Sequence, residues 1–206
     1  MKLTKFEQSG FILETKTGFR LAFDIGNKTS IEKISAITVD AMLVSHIHGD
    51  HFSFEQIKAL SPKKLYLNAE CIETLGEEAL ASEIVSVKAD DEIMVDSIRV
   101  QFFKVDHGPN VSAPIKENFG FLIIADGKTI YFAGDMFYQS GIDVSNLEVD
   151  YVLLPVGTFY TFGPQEAFDF AKKFKKIGKI ISMHYEKTPE TQGQFLELTK
   201  GIFDTE

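Results

Sequence analysis

What most constrains the fold of this chain is where its five histidines stand. His46, His48 and His51 crowd into Ser45-His46-Ile47-His48-Gly49-Asp50-His51, while His107 and His184 each close an apolar, strand-like segment. Asp135, in Ala133-Gly134-Asp135, closes another. Several strand ends converging on one rim of a sheet-based core can bring residues so far apart in sequence into one site. A packing explanation fails for three histidines and an aspartate within six residues, because buried imidazoles and carboxylates need partners.

The hydrophobic pattern supplies those strands. Gly10 to Glu14 and Phe19 to Asp24 flank Thr15-Lys16-Thr17-Gly18, a hairpin connection. Val39 to Ser45 reads as a buried strand delivering His46. Ser53-Phe54-Glu55-Gln56 resembles a capping box opening a helix to Leu60. Lys64 to Leu67 is a strand, and Asn68 caps a helix to about Leu80. Further strands are expected at Ile84 to Val87, Glu92 to Val95, Ile98 to Val105, Phe119 to Ala125, Thr129 to Ala133 and Val149 to Pro155. Asp126-Gly127 is a two-residue hairpin turn between two of them. Pro164 begins a helix that Gly178 is expected to end. Lys179 to Met183 leads to His184, and a last amphipathic helix includes Phe195, Leu196 and Thr199.

Imidazole and carboxylate together suit borderline to hard divalent cations such as Zn, Mn and Fe. The alternation in His46-x-His48 lets two side chains approach one ion from a tight loop. Asp50 and His51, at a loop-to-helix junction, can diverge toward a second. Asp135 has two oxygens and can bridge. Seven candidate ligands (His46, His48, Asp50, His51, His107, Asp135 and His184) are enough for two divalent metal ions, zinc first among them.

Composition removes other classes. At 206 residues and 44% hydrophobic, the chain is long enough for one domain spanning 1–206. A net charge of −9 disfavours nucleic acid, since Lys172, Lys173, Lys175 and Lys176 read as a solvated helix end. No stretch approaches the roughly 20 apolar residues of a membrane span. The N-terminus lacks the apolar core of a signal peptide. One cysteine, Cys71, forms no internal disulfide, and a cytoplasmic location is expected. A small-molecule substrate is expected, and the oligomeric state is left open.

The order His46-x-His48-x-Asp50-His51, His107, Asp135, His184 resembles the metallo-β-lactamase superfamily, over Ser45 to His184. Leu154-Pro155-Val156-Gly157-Thr158, Phe162-Gly163-Pro164-Gln165-Glu166-Ala167 and Ile181-Ser182-Met183-His184-Tyr185 resemble its branch of small hydrolases. That branch contains L-ascorbate-6-phosphate lactonase-like and N-acylphosphatidylethanolamine phospholipase D-like proteins. The resemblance implies an α/β fold, a four-layer αββα sandwich of two mixed β-sheets flanked by helices. It implies that His46, His48 and His107 hold one ion, Asp50, His51 and His184 the other, and Asp135 bridges them. Asp24 matches an early strand-end aspartate that orients the ligand loop, although Ile25 stands where proline often follows in that branch.

Flavodiiron-type relatives carry Glu where this chain has His48. β-CASP ribonucleases and glyoxalase II-like enzymes add segments this length does not accommodate, and the superfamily's β-lactamases are secreted. The reaction implied is hydrolysis by hydroxide held in the binuclear site, on a small ester or lactone. A phosphodiester, small or lipid-like, is the alternative, and a non-hydrolytic metal-binding or redox protein is another. With every histidine used as a ligand, proton transfer falls to Asp50, to water, or to Tyr138 or Tyr160. Arg20 and Arg99 are the only arginines and lie away from the ligand runs, so no bidentate phosphate clamp is visible. Phe52, Phe54, Phe137, Phe159 and Phe162 stand near the motifs, with core packing the simpler role for them.

Overall fold

Two sheets of six strands each organise the computed structural model, which describes residues 1–78, 80–108 and 115–206. The first sheet runs β1 (Lys2–Lys5), β2 (Phe11–Glu14), β3 (Arg20–Phe23), β4 (Ala41–Leu43), β5 (Lys64–Leu67) and β6 (Glu83–Ser86) in chain order. β1 to β3 pair antiparallel and β3 to β6 parallel. The second runs β7 (Glu92–Val95), β8 (Ile98–Lys104), β9 (Phe119–Ala125), β10 (Lys128–Phe132), β11 (Glu148–Pro155) and β12 (Lys176–Met183). Here β7 to β10 are antiparallel and β10 to β12 parallel. Both sheets are therefore mixed, as expected.

Alternation along the strands explains the layers. In β4, Ala41 and Leu43 face the other sheet, while Met42 faces outward. In β10, Ile130 and Phe132 face inward and Tyr131 outward. The inner core is phenylalanine-rich: Phe11 stacks on Phe23 at 5.5 Å, Phe23 meets Phe132 at 5.2 Å, and Phe132 stacks on Phe121 at 5.2 Å. Each such ring contributes about 1.5–3 kcal/mol when fully buried. Outside the first sheet lie α1 (Ile31–Ile34), α2 (Phe54–Leu60) and α3 (Ala69–Leu75), which cover Met42, Leu65 and Leu67 with Ile34, Leu60 and Cys71. Outside the second lie α4 (Pro164–Ala171) and α5 (Pro189–Thr199), packed on Tyr131, Val152 and Leu154. The order is helix, sheet, sheet, helix.

Local chemistry accounts for the joints. Asp126 and Gly127 both take positive φ (52° and 76°), the two left-handed residues of a tight hairpin turn. Asn68 caps α3 by accepting the Cys71 N–H at 2.7 Å. Gly76, at φ 56°, ends that helix earlier than Leu80, and Ala79 lies outside the described residues. Ser53 is the N-cap of α2, but its hydroxyl bonds the Gln56 side chain, and no capping-box bond to the backbone forms. Gly178 does not end a helix. α4 stops at Ala171, and Gly178 lies inside β12, where a Cβ would sit 2.5 Å from the Asp150 carbonyl oxygen. The lysines after α4 are accordingly not one helix end: Lys172 pairs with Asp169 at 2.6 Å and Lys175 with Glu148 at 2.7 Å. β1 and α1 are additions to the expected elements. Among the described residues no helix is long and apolar enough to cross a membrane.

Candidate metal centre

The candidate ligands follow the C-terminal ends of strands from both sheets. β4 leads to Ser45 and His46, β8 to His107, β10 to Asp135 and β12 to His184. The sheets are tied together at this rim, where the Phe119 N–H donates to the Ser45 carbonyl at 3.2 Å. Two glycines permit the loops to close. A Cβ on Gly26 would meet the Asp50 carbonyl carbon at 2.1 Å, and one on Gly157 would meet the His184 carbonyl oxygen at 1.8 Å. Asn27 N–H donates to the Gly49 carbonyl at 2.8 Å, so Gly26 and Asn27 pin the ligand loop without the proline absent at Ile25.

The side chains then converge. The Nε2 atoms of His184, His51 and His107 lie 3.1, 3.3 and 3.4 Å from Oδ2 of Asp135. His184 Nε2 also lies 3.6 Å from Asp50 Oδ2. Two groups of potential ligand atoms each fall within 4.8 Å of one another: His46, His48, His107 and Asp135, and Asp50, His51 and His184. The Nε2 atoms of His46, His51, His107 and His184 are buried without a hydrogen-bond partner among the described residues. Four orphaned imidazole nitrogens beside one carboxylate are costly unless a cation joins them, so the residues present fit a metal group.

A third compact group, Asp24, His46 and His51, does a different job. Asp24 Oδ1 accepts the Ser45 N–H at 2.8 Å, and Oδ2 accepts the Ser45 hydroxyl at 2.5 Å and His51 Nδ1–H at 2.7 Å. The Ser45 oxygen is left to accept Nδ1–H of His46 at 2.9 Å. One buried carboxylate thus places the proton of both imidazoles on Nδ1, leaving both Nε2 lone pairs directed inward.

Electrostatics point the same way. Burial, then the neighbouring His51, pushes His46 well below the ordinary imidazole range, and burial with His107 lowers His48. Burial also opposes charge on His51 and His184, but Asp135 outweighs it, with Asp24 helping at His51 and Asp50 at His184. His51 is raised well above its ordinary value and His184 to about 9. Burial likewise opposes ionisation of Asp135 and Asp50, yet the histidines hold both below the usual carboxylate range. The site therefore calls for positive charge beside Asp135 and Asp50, which bound protons or cations supply.

A family model described as a β-lactamase superfamily domain matches residues 2–184. The chain belongs to the β-lactamase superfamily. It is 32% identical to a UPF0173 metal-dependent hydrolase of Korarchaeum cryptofilum, over 98% of this chain and 90% of that protein. Its fold is similar to Igni18, a metallo hydrolase from Ignicoccus hospitalis, with a TM-score of 0.79 at 21% identity over 99% of this chain and 93% of the other. It is also similar to an isothiocyanate hydrolase from Delia radicum gut bacteria, with a TM-score of 0.70 at 18% identity over 97% and 92%.

Within this superfamily domain the seven expected ligand positions are brought together, and the two expected tyrosines differ. Tyr138, 55% exposed, lines a 390 Å³ pocket that also contains His107. Tyr160 is half-buried with Lys187 Nζ 5.3 Å from its ring centre. Phe52 and Phe162 belong to the two outer cores, Phe54 packs against one of them, and Phe159 is 59% exposed. Arg20 and Arg99 are turned to Glu14 and Glu92. Gln8, Ser9 and Asn118 are not among the expected residues. Gln8 Nε2 donates to Asp50 Oδ2 at 3.1 Å, the Ser9 hydroxyl to Asp135 Oδ1 at 3.5 Å, and Asn118 Nδ2 to the Asp135 carbonyl at 3.1 Å. In sequence these are ordinary turn and strand-entry residues, with no spacing that marks them.

Proposed function

We propose that this chain is a metal-dependent hydrolase whose centre takes two divalent cations, zinc first among them, and cleaves a small ester or lactone. The observation that carries the reading is the convergence of three buried Nε2 atoms, of His51, His107 and His184, on Asp135, with His46 in the same compact group of potential ligands and its Nε2 also buried and unpartnered among the described residues. His46, His48 and His107 would hold one cation, Asp50, His51 and His184 the other, with Asp135 between them. Relatives named metal-dependent hydrolases support the reaction class. Bound cations of this kind acidify water and polarise a carbonyl.

The chain's own residues do the rest. Asp24 fixes the tautomers of His46 and His51. Asp50, held by Gln8 and facing His184, orients the attacking water through its carboxylate. With all five histidines taken as ligands, Tyr138, which lines the pocket shared with His107, would protonate a leaving group, ahead of Tyr160. An ester is favoured because both arginines are engaged with glutamates. Lys104 lines the pocket shared with His107 and Tyr138, which favours a phosphodiester as the second reading, whereas Lys116 in the same lining is engaged with Glu73 at 3.5 Å.

A panel of lactones, carboxylesters and phosphodiesters, with Zn, Mn and Fe supplied separately, tests this. Turnover of a lactone or ester is expected, abolished in Asp50→Asn and His184→Ala and only partly reduced in Tyr138→Phe. Phosphodiester turnover alone selects the second reading, and a metal-loaded protein inert across the panel overturns the hydrolase reading.

A further inference from the structure

The turn between β1 and β2 reaches the centre from outside every ligand loop. Its Gln8 is 1% exposed and holds a left-handed backbone, φ 56°, rare for a residue with a side chain. Three bonds fix it. Nε2 donates to Asp50 Oδ2 at 3.1 Å, the carbonyl accepts the His184 N–H at 3.2 Å, and its N–H donates to Glu186 Oε1 at 2.9 Å. Lys5 Nζ holds the same Glu186 oxygen at 3.1 Å. One residue thus joins Asp50, which follows β4 in the first sheet, to the His184 loop, which follows β12 in the second.

The amide's orientation shows which bond governs. Gln8 Oε1 is buried with no donor among the described residues. Turning the amide over would set that oxygen against the Asp50 carboxylate, acceptor against acceptor. A hydrogen bond to a charged carboxylate is stronger than one to a neutral partner, so the donor to Asp50 is kept and the carbonyl is the group left unsatisfied. The bonded oxygen, Asp50 Oδ2, is also the one facing His184 Nε2 at 3.6 Å. None of the hydrogen bonds of Gln8 goes to His46, His48 or His107.

We infer that Gln8 is a positioning residue for one half of the centre: it sets Asp50 and His184 for the cation they share with His51, and leaves the His46–His48–His107 half independent. The inference rests on the two-cation reading. It is tested by titrating the metal-stripped chain with Zn against a chromophoric chelator, resolving the two binding steps. Gln8→Asn keeps an amide on a residue that tolerates left-handed backbone, but is one methylene too short to reach Asp50. Gln8→Met keeps the length and removes the donor. Each is expected to weaken one zinc step by about 10–100-fold while the other stays within about twofold. Two steps that weaken together, as a general loss of structure would produce, overturn the inference, and so do two unchanged steps in both variants. A wild-type chain that binds only one zinc overturns the two-cation reading itself, before the variants are compared.

Discussion

Asp24 carries more of the centre than a residue that touches no metal would suggest. Its two oxygens receive three hydrogen bonds, from Ser45 N–H, Ser45 Oγ–H and His51 Nδ1–H, and through Ser45 they also determine the proton of His46. Asp24→Asn is nearly isosteric but places an amide N–H₂ where Oδ2 accepts. His51 would then keep its proton on Nε2, the nitrogen a cation needs. A loss of about 10–100-fold in metal affinity is expected with little change in thermal stability, measured by metal titration beside a melt. Unaltered affinity would show that the tautomer argument is wrong. Residue type explains what is legible at this scale. Histidine and aspartate at tight spacing announce ligand chemistry, because few other roles need that density of donors. Gln8, Ser9 and Asn118 announce nothing, since their part lies in hydrogen bonds between segments far apart in sequence.

At the scale of elements, the centre depends on loops that leave strand ends and immediately press against one another. The loop after β11 and the loop after β12 meet at Gly157 and His184, where a Cβ would lie 1.8 Å from a carbonyl oxygen. His184 itself takes φ 60°, so the backbone there has little freedom to move aside. Gly157→Ala is expected to cost about 1–3 kcal/mol by overpacking and to loosen the His184 side of the centre, read from denaturant unfolding with and without metal. A change below about 0.5 kcal/mol would mean that the loops separate easily. Strands were legible where alternation was clean or a two-residue turn stood between them, as at β9 and β10. The end of α4 was not. Gly178 looks like a helix stop, yet it is a glycine required by the close approach of β11, a contact between segments that a local pattern does not contain.

The whole molecule is a four-layer sandwich whose two sheets each contribute candidate ligands along one rim. The first sheet supplies His46, His48, Asp50 and His51, and the second supplies His107, Asp135 and His184. Neither sheet alone completes either group of ligands, so a cation bound there joins the two halves of the fold. Five histidines and two aspartates in a fixed order made a sheet-based core with converging strand ends readable from sequence, while the four layers were readable only through the resemblance of that pattern to the metallo-β-lactamase superfamily. The substrate was not readable, since the pocket beside His107 is lined by residues from separate segments, 104–108, 115–118 and Tyr138, with no spacing that marks a ligand class. These seven residues are proposed to hold two cations. Elemental analysis of the purified chain, equilibrated with zinc and freed of excess, measures it directly. Two zinc ions per chain are expected, and one in His184→Ala; a wild-type chain that holds one or none would rule out a two-cation centre.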